Sequence, residues 1–206
     1  PGGPDAADYA GDLAALIEHL KFTDVRLVGQ SMGGWTVLEY AITNPTRVKA
    51  LVLSSTSGTI DRRSADPSGG DRYDSWLKDA EAQIVAGLPP GIHPPVGARA
   101  AERSPSLHLL YKSIDEMAGP LDKEKLRDNL RRTARRRTSD LKDFRVPTLL
   151  IAGGRDVVFP PFLASAIAAT LPCADAQEMP ESGHSPYFDD AATFNRLVER
   201  FLGLHA

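Results

Sequence analysis

Apolar residues follow two rhythms along the chain, a helical spacing and short dense runs. Between residues 5 and 20, Tyr9, Leu13, Leu16, Ile17 and Leu20 recur at helical spacing, which predicts an amphipathic helix with Asp5 available as its cap. After a polar break at 21–24, the β-branched run 25–28 predicts a strand, and "GQSMGG" follows at 29–34. Helical character then holds over 35–41 until Asn44-Pro45 ends it. A second buried-type strand is predicted over 48–53 ("VKALVL") and gives way to "SSTSG". Strand, helix and strand in that order form a parallel βαβ unit.

From 59 to 144 the pattern breaks down: the segment is rich in Pro, Gly, Arg, Asp and Ser, and only interrupted helical stretches such as 72–86 and 121–137 stand out. It reads as an inserted helical lid dividing a core into parts 1–58 and 145–206. Strand character returns at 148–152 ("TLLIA"), closes on "GGRD", and precedes a helix over 162–171 opened by Pro160-Pro161. A weaker strand is predicted over 175–179, and a last helix over 190–204 with Phe194, Leu197, Val198 and Phe201 on one face. The expected fold class is α/β, a mostly parallel sheet interrupted by the lid.

Composition narrows the setting without changing the architecture. At 206 residues and 42% hydrophobic, the chain can bury one substantial core. A net charge of -3 and a pI near 6.0 provide no global basic field, so neither nucleic acid nor an anionic membrane is expected as a partner. Cys173 is the sole cysteine, which precludes an intrachain disulfide, suits a reducing compartment, and reads as a buried inert thiol. No run approaches the roughly 18 apolar residues of a membrane span, and no charged-then-apolar leader opens the chain, so a cytoplasmic location is expected.

Chemistry enters at Ser31, which sits between Gly29 and Gly33 where a predicted strand meets a predicted helix. A serine hydroxyl becomes a nucleophile only beside a base, and the base needs an acid to fix its tautomer. In a parallel sheet the loops after all strands meet at one edge, so both partners should directly follow strands. Asp156 lies four residues past the 148–152 strand, and His184 lies just past the last strand in "PESGHSPYF". His19 falls in the first helix, His93 and His108 in the lid and His205 at the tail, so none of these follows a strand. Two bland alternatives stay open: Ser31 as a helix cap, and Asp156 as a turn cap or a partner of Arg155. Small residues at Gly29 and Gly33 are expected to let the crossing strand and helix approach.

The chain order Ser31, Asp156, His184, with "GQSMGG" between strand and helix, resembles the α/β-hydrolase superfamily over nearly all of the chain outside the lid. The resemblance implies an acyl-enzyme mechanism on an ester or related acyl substrate, with esterase, lactonase, thioesterase and carbon–carbon hydrolase chemistry all open. It also implies the Met32 backbone N–H as one oxyanion donor. A serine at the elbow departs from relatives resembling haloalkane dehalogenases or epoxide hydrolases, which carry aspartate there. In some relatives the acid follows the earlier strand, but here that place reads "SSTSG". No metal-ligand spacing or phosphate loop is apparent, so no cofactor is expected. Gln30 and Trp35, flanking the elbow, are candidate substrate contacts or packing residues.

Two expectations concern the rest of the chain. Members of the superfamily place several strands ahead of the first helix, and a loop among them supplies the second oxyanion N–H. The chain opens Pro-Gly-Gly-Pro without an initiator Met, so a fragment of a longer hydrolase is expected, with the 25–28 strand as an open edge. An impaired catalyst or a non-catalytic binding protein on the same fold is the alternative. In the lid, Arg127, Arg131, Arg132, Arg135 and Arg136 would form a basic stripe on a helix. That stripe is either a solvated face or a docking surface for an acidic carrier domain or a carboxylate-bearing substrate.

Overall fold

Three short runs rich in branched apolar residues and a fourth, more polar one form four parallel strands in a computed structural model describing residues 6–86, 102–117, 128, 132 and 134–205. They are β1 Val25–Gln30, β2 Val48–Ser54, β3 Thr148–Gly153 and β4 Ala174–Met179, and their spatial order is β1-β2-β3-β4. The register pairs Leu27 with Leu51, Leu53 with Leu150 and Ala152 with Glu178, so the carboxyl ends of all four strands share one edge. Each predicted strand is present, extended at its ends by one or two residues.

Alternation along the two central strands divides the core. Leu51 and Leu53 of β2 and Leu150 of β3 pack with Val37, Leu38, Leu163 and Ile167. Those partners come from α2 (Met32–Thr43) and α6 (Pro161–Ala168), which lies beyond the insertion. Ala50, Val52, Leu149 and Ile151 face the other way, against Phe194 and Phe201 of the last helix, α8 (Ala191–Leu204). Each large aliphatic side chain buried in this way contributes about 1.5–3 kcal/mol relative to exposure. The four-residue face predicted for α8 is the one that packs, with Leu197 and Val198 completing it.

The first helix, α1 (Ala6–His19), lies on α2 through Ala10, Leu13, Ala14 and Ile17. This stripe is rotated from the predicted one, and Leu16 and Leu20 are 52% and 47% exposed. The small side chains Ala10 and Ala14 allow the close approach and so set the contact face, a preference that counting large apolar residues misses. Cys173 is exposed, contrary to the expected buried thiol. Its carbonyl accepts the Thr148 N–H at 2.9 Å, so the turn into β4 anchors its backbone and directs the thiol outward.

Between β2 and β3 the described helices are α3 (Arg62–Ala65), α4 (Asp71–Ala86) and α5 (Pro105–Met117). Four described residues of segment 59–144, Ile60, Ala65, Leu141 and Phe144, belong to the core itself. The predicted helix over 121–137 mostly lies outside the described residues, as do Arg127 and Arg131, but its end is not helical. Arg136 forms a β-bridge with Ile60, and its Nε and Nη2 donate to the two carboxylate oxygens of Glu39 on α2, each at 2.6 Å. The Thr59 hydroxyl donates to the same carboxylate. Burial pushes the Glu39 carboxyl up, but these bonds outweigh it and hold the group below its usual range. Arg136 therefore does not belong to a solvent-facing basic stripe, because a half-buried carboxylate claims both arms of its guanidinium. No helix among the described residues is long and apolar enough to cross a membrane.

Candidate active site

At the end of β1 the chain reverses into α2 within a single residue. Ser31 makes that turn at φ 49° and ψ -116°, a left-handed conformation costly for any residue with a Cβ. Its N–H donates to the Ser54 carbonyl at 2.9 Å, continuing the sheet contact past the strand end. Ser31 occupies the N-cap of α2 but makes no side-chain cap hydrogen bond, so the helix-cap alternative does not hold.

The tight approach around this turn falls on a different pair of glycines from the expected one. A Cβ on Gly29 would lie 2.4 Å from Val37 Cγ2 and 2.7 Å from the Gly33 carbonyl oxygen. A Cβ on Gly34 would lie 2.2 Å from Thr56 Cγ2, whereas one on Gly33 would meet nothing within 4 Å. Gly33 contributes its backbone to the contact with Gly29, and Gly34 is the residue pressed against the β2 loop.

Asp156 lies in the turn after β3 and divides its two oxygens between two tasks. Oδ1 accepts the N–H groups of Val158 and Phe159 at 2.7 and 2.9 Å. Oδ2 is 2.8 Å from His184 Nδ1. The turn-cap alternative is therefore correct for one oxygen and leaves the other for the histidine. Arg155 instead meets Glu181 at 3.4 Å. The pair "GG" before this turn matters as much: a Cβ on Gly153 would lie 1.9 Å from the Gly183 carbonyl oxygen, and one on Gly154 would lie 2.7 Å from that of Pro180. The histidine loop rests directly on the backbone of the acid loop.

His184 completes the chain of contacts, its Nε2 lying 2.8 Å from Ser31 Oγ. With Asp156 a pure acceptor when ionised, Nδ1–H donates to it and Nε2 is left to accept from the Ser31 hydroxyl. Both His184 and Asp156 are buried, at 6% and 3% exposure. Met32 is the first residue of α2, where a helix leaves its amides without intrahelical acceptors. Gln30 donates its amide Nε2–H to the His184 carbonyl at 2.9 Å, and Trp35 is buried on α2.

Further residues bear on the histidine loop that sequence reasoning did not single out. The Ser185 and Tyr111 hydroxyls lie 3.2 Å apart, and the Tyr111 ring meets Phe188 edge-on at 5.1 Å, joining α5 to the loop. Burial pushes the Tyr111 phenol above its usual range. Asp189 ends the short helix α7 (Pro186–Asp189) and accepts the Gly183 N–H at 2.7 Å. An acidic residue five positions after the histidine was the available signal in the sequence.

A serine on a strained strand-to-helix turn, hydrogen-bonded to a histidine and an aspartate from later loops of the same parallel-sheet edge, defines the nucleophile-elbow class of α/β proteins. The chain belongs to the alpha/beta hydrolase family, whose model matches residues 1–197. It is similar to a Bacillus subtilis protein provisionally named 2-succinyl-6-hydroxy-2,4-cyclohexadiene-1-carboxylate synthase, at 27% identity over 93% of this chain and 70% of that protein. It is also similar to the 2-hydroxy-6-oxononadienedioate/2-hydroxy-6-oxononatrienedioate hydrolase of Cupriavidus pinatubonensis, at 26% identity over 93% of this chain and 66% of that one. Among solved structures, a thermophilic esterase from Thermogutta terrifontis shares the fold, with a TM-score of 0.73 at 24% identity, covering 100% of this chain and 75% of the esterase.

Proposed function

We propose that this chain is a serine hydrolase that cleaves an ester or related acyl bond through an acyl-enzyme. One observation carries the reading: the continuous hydrogen-bonded line from Ser31 Oγ through His184 to Asp156, with both links at 2.8 Å. As the Ser31 oxygen attacks an acyl carbon, its proton passes to His184 Nε2, and Asp156 stabilises the imidazolium through Nδ1–H. His184 then returns the proton to the leaving oxygen, and the oxygen departs. A water repeats the sequence against the acyl-enzyme: His184 takes its proton, and Ser31 is released as the hydroxyl. The Met32 N–H, at the positive end of the α2 dipole, serves as one donor to the oxyanion.

Carboxylic ester hydrolysis is the form of the activity we favour. The relative named as a hydrolase supports hydrolytic chemistry in general, and the Ser31–His184–Asp156 geometry supports placing it at the serine. Gln30 acts as a brace for the histidine loop in this scheme, since its amide is engaged by the His184 carbonyl.

A fluorophosphonate probe tests the reading. Stoichiometric labelling at Ser31, absent in Ser31→Ala and strongly slowed in His184→Ala, is expected. Asp156→Asn should lower kcat on a p-nitrophenyl ester by about 10³–10⁴-fold, because an amide no longer enforces the required tautomer. Labelling that survives Ser31→Ala, or full turnover by Asp156→Asn, would contradict the proposal. Panels of esters, thioesters and lactones graded by acyl length then define the substrate class.

A further inference from the structure

Asp189 occupies an unusual position for a carboxyl group. Its Oδ2 accepts the N–H of Gly183, the residue immediately before the histidine, at 2.7 Å. Its Oδ1 is buried with no hydrogen-bond partner among the described residues. Its own N–H donates to the Ser185 carbonyl at 2.9 Å. Residues 183–189 thus close into one loop, pinned at the start by the carboxylate that ends it. A buried carboxylate oxygen left without a donor costs free energy, so such a placement needs a compensating reason.

The groups that act on Asp189 come from three elements. Asp156 in the acid turn opposes its ionisation, His184 in its own loop favours it when protonated, and the Tyr111 phenol approaches from α5. Burial is the largest influence, and the Asp189 carboxyl is pushed up to about 6. This lies in the range where a hydrolase would work, whereas an ordinary aspartate has long been ionised there.

We infer that Asp189 is a positioning residue for His184: as a carboxylate it grips the Gly183 amide and keeps the imidazole in line between Ser31 and Asp156, and protonation loosens that grip. A charge-assisted bond to an amide is roughly twice as strong as the bond a neutral acid offers, so gaining one proton relaxes the segment that carries the histidine. The site then contains two acid-sensitive groups, the histidine that exchanges protons and the carboxyl that holds it. The consequence for turnover rests on the serine hydrolase reading above; the coupling of Asp189 to the His184 ring does not.

The test follows kcat for a soluble p-nitrophenyl ester from about pH 4.5 to 8 in wild type, Asp189→Asn and Asp189→Ala, together with the His184 ring ¹⁵N shifts over the same range. Wild type should lose activity on the acid side with a limb of one proton, about tenfold per pH unit, plus a further fall of about two- to fivefold centred near pH 6 that Asp189→Asn lacks. Asp189→Ala, which lacks the acceptor altogether, should lower kcat about 10–100-fold at neutral pH with little change in KM, and Asn should recover most of that loss. The His184 shifts should carry a second inflection near pH 6 that disappears in Asp189→Asn. Superimposable pH profiles, or ring shifts with one inflection in both proteins, would overturn the inference. Should Ser31 resist the fluorophosphonate and no ester turn over, the hydrolase reading falls, and the ring titration still decides the role of Asp189.

Discussion

Alanine substitutions at the adjacent positions Gly33 and Gly34 should have opposite effects, although the familiar reading of an elbow assigns the packing role to Gly33. At Gly34 the new methyl would lie 2.2 Å from Thr56 Cγ2 and 2.9 Å from Thr56 Oγ1, against an ordinary contact of 3.4–4 Å. Thr56 is buried, and its hydroxyl accepts the Gly58 N–H at 3.0 Å, so rotating it away sacrifices that bond. Overpacking costs about 1–3 kcal/mol, and the lost hydrogen bond a further ~1 kcal/mol. The gain from replacing a helical glycine returns only about 1 kcal/mol. Gly34→Ala should thus be destabilised by about 1–3 kcal/mol net, while Gly33→Ala keeps the helical gain and loses nothing. At about 2–4 °C per kcal/mol for a chain of this size, the two melting temperatures should differ by roughly 4–16 °C. Differential scanning fluorimetry on both variants and wild type measures the difference. Equal destabilisation at the two positions, or a wild-type melting temperature for Gly34→Ala, would refute the packing argument.

Other perturbations probe different parts of the structure. Ser31→Gly should abolish fluorophosphonate labelling yet raise the melting temperature by a few degrees, because it relieves the positive φ that Ser31→Ala retains; net gains of about 1 kcal/mol are the scale expected. Glu39 is held below the usual carboxylate range, so its stabilising effect is full above that range and is lost as pH falls through the depressed value. In thermal melts against pH, Glu39→Gln should melt below wild type at neutral pH, with the gap closing as both enter strong acid. The proposal that an acidic carrier docks at the arginines between β2 and β3 should be tested by charge reversal at Arg132 and Arg135, since reversing Arg136 breaks the pair with Glu39. Turnover of a carrier-bound substrate at low salt should fall while a small neutral ester is spared, and equal effects on both would remove that surface from consideration.

The parts of this molecule that could be read from sequence are those governed by local chemistry and by topology. Runs such as 148–152 are buried on both faces, so they appear as unbroken apolar segments whose ends are visible as glycine or proline. Asp156 and His184 were accessible for a topological reason: strands that run parallel bring their following loops to one edge, and of the five histidines only His184 follows a strand. What escaped prediction depends on neighbours distant in the sequence. Gly33 and Gly34 are indistinguishable until Thr56 is known to press on one of them. Arg136 looks like its neighbours until Glu39, 97 residues earlier, closes on it. Gln30 and Asp189 brace the histidine loop through backbone groups, which leave no mark in side-chain patterning.

The bridge between Ile60 and Arg136 carries an implication for how this scaffold can diversify. Thr59 and Asp61 exchange backbone hydrogen bonds with Arg136 at 3.1 and 2.8 Å, so the chain leaves the core and re-enters it through adjoining points. This clasp closes the base of the intervening segment, whose described residues also reach the core through Ala65 and, at the histidine loop, through Tyr111, and the pairing of β2 with β3 does not depend on the segment's length. Changes of length within 61–135 should therefore leave the strands in register, provided that the contacts of Ala65 with the core and of Tyr111 with the histidine loop are kept. In such chimaeras the Glu39–Arg136 pair is the junction to preserve, because it fastens the clasp to α2, the helix that begins at the serine.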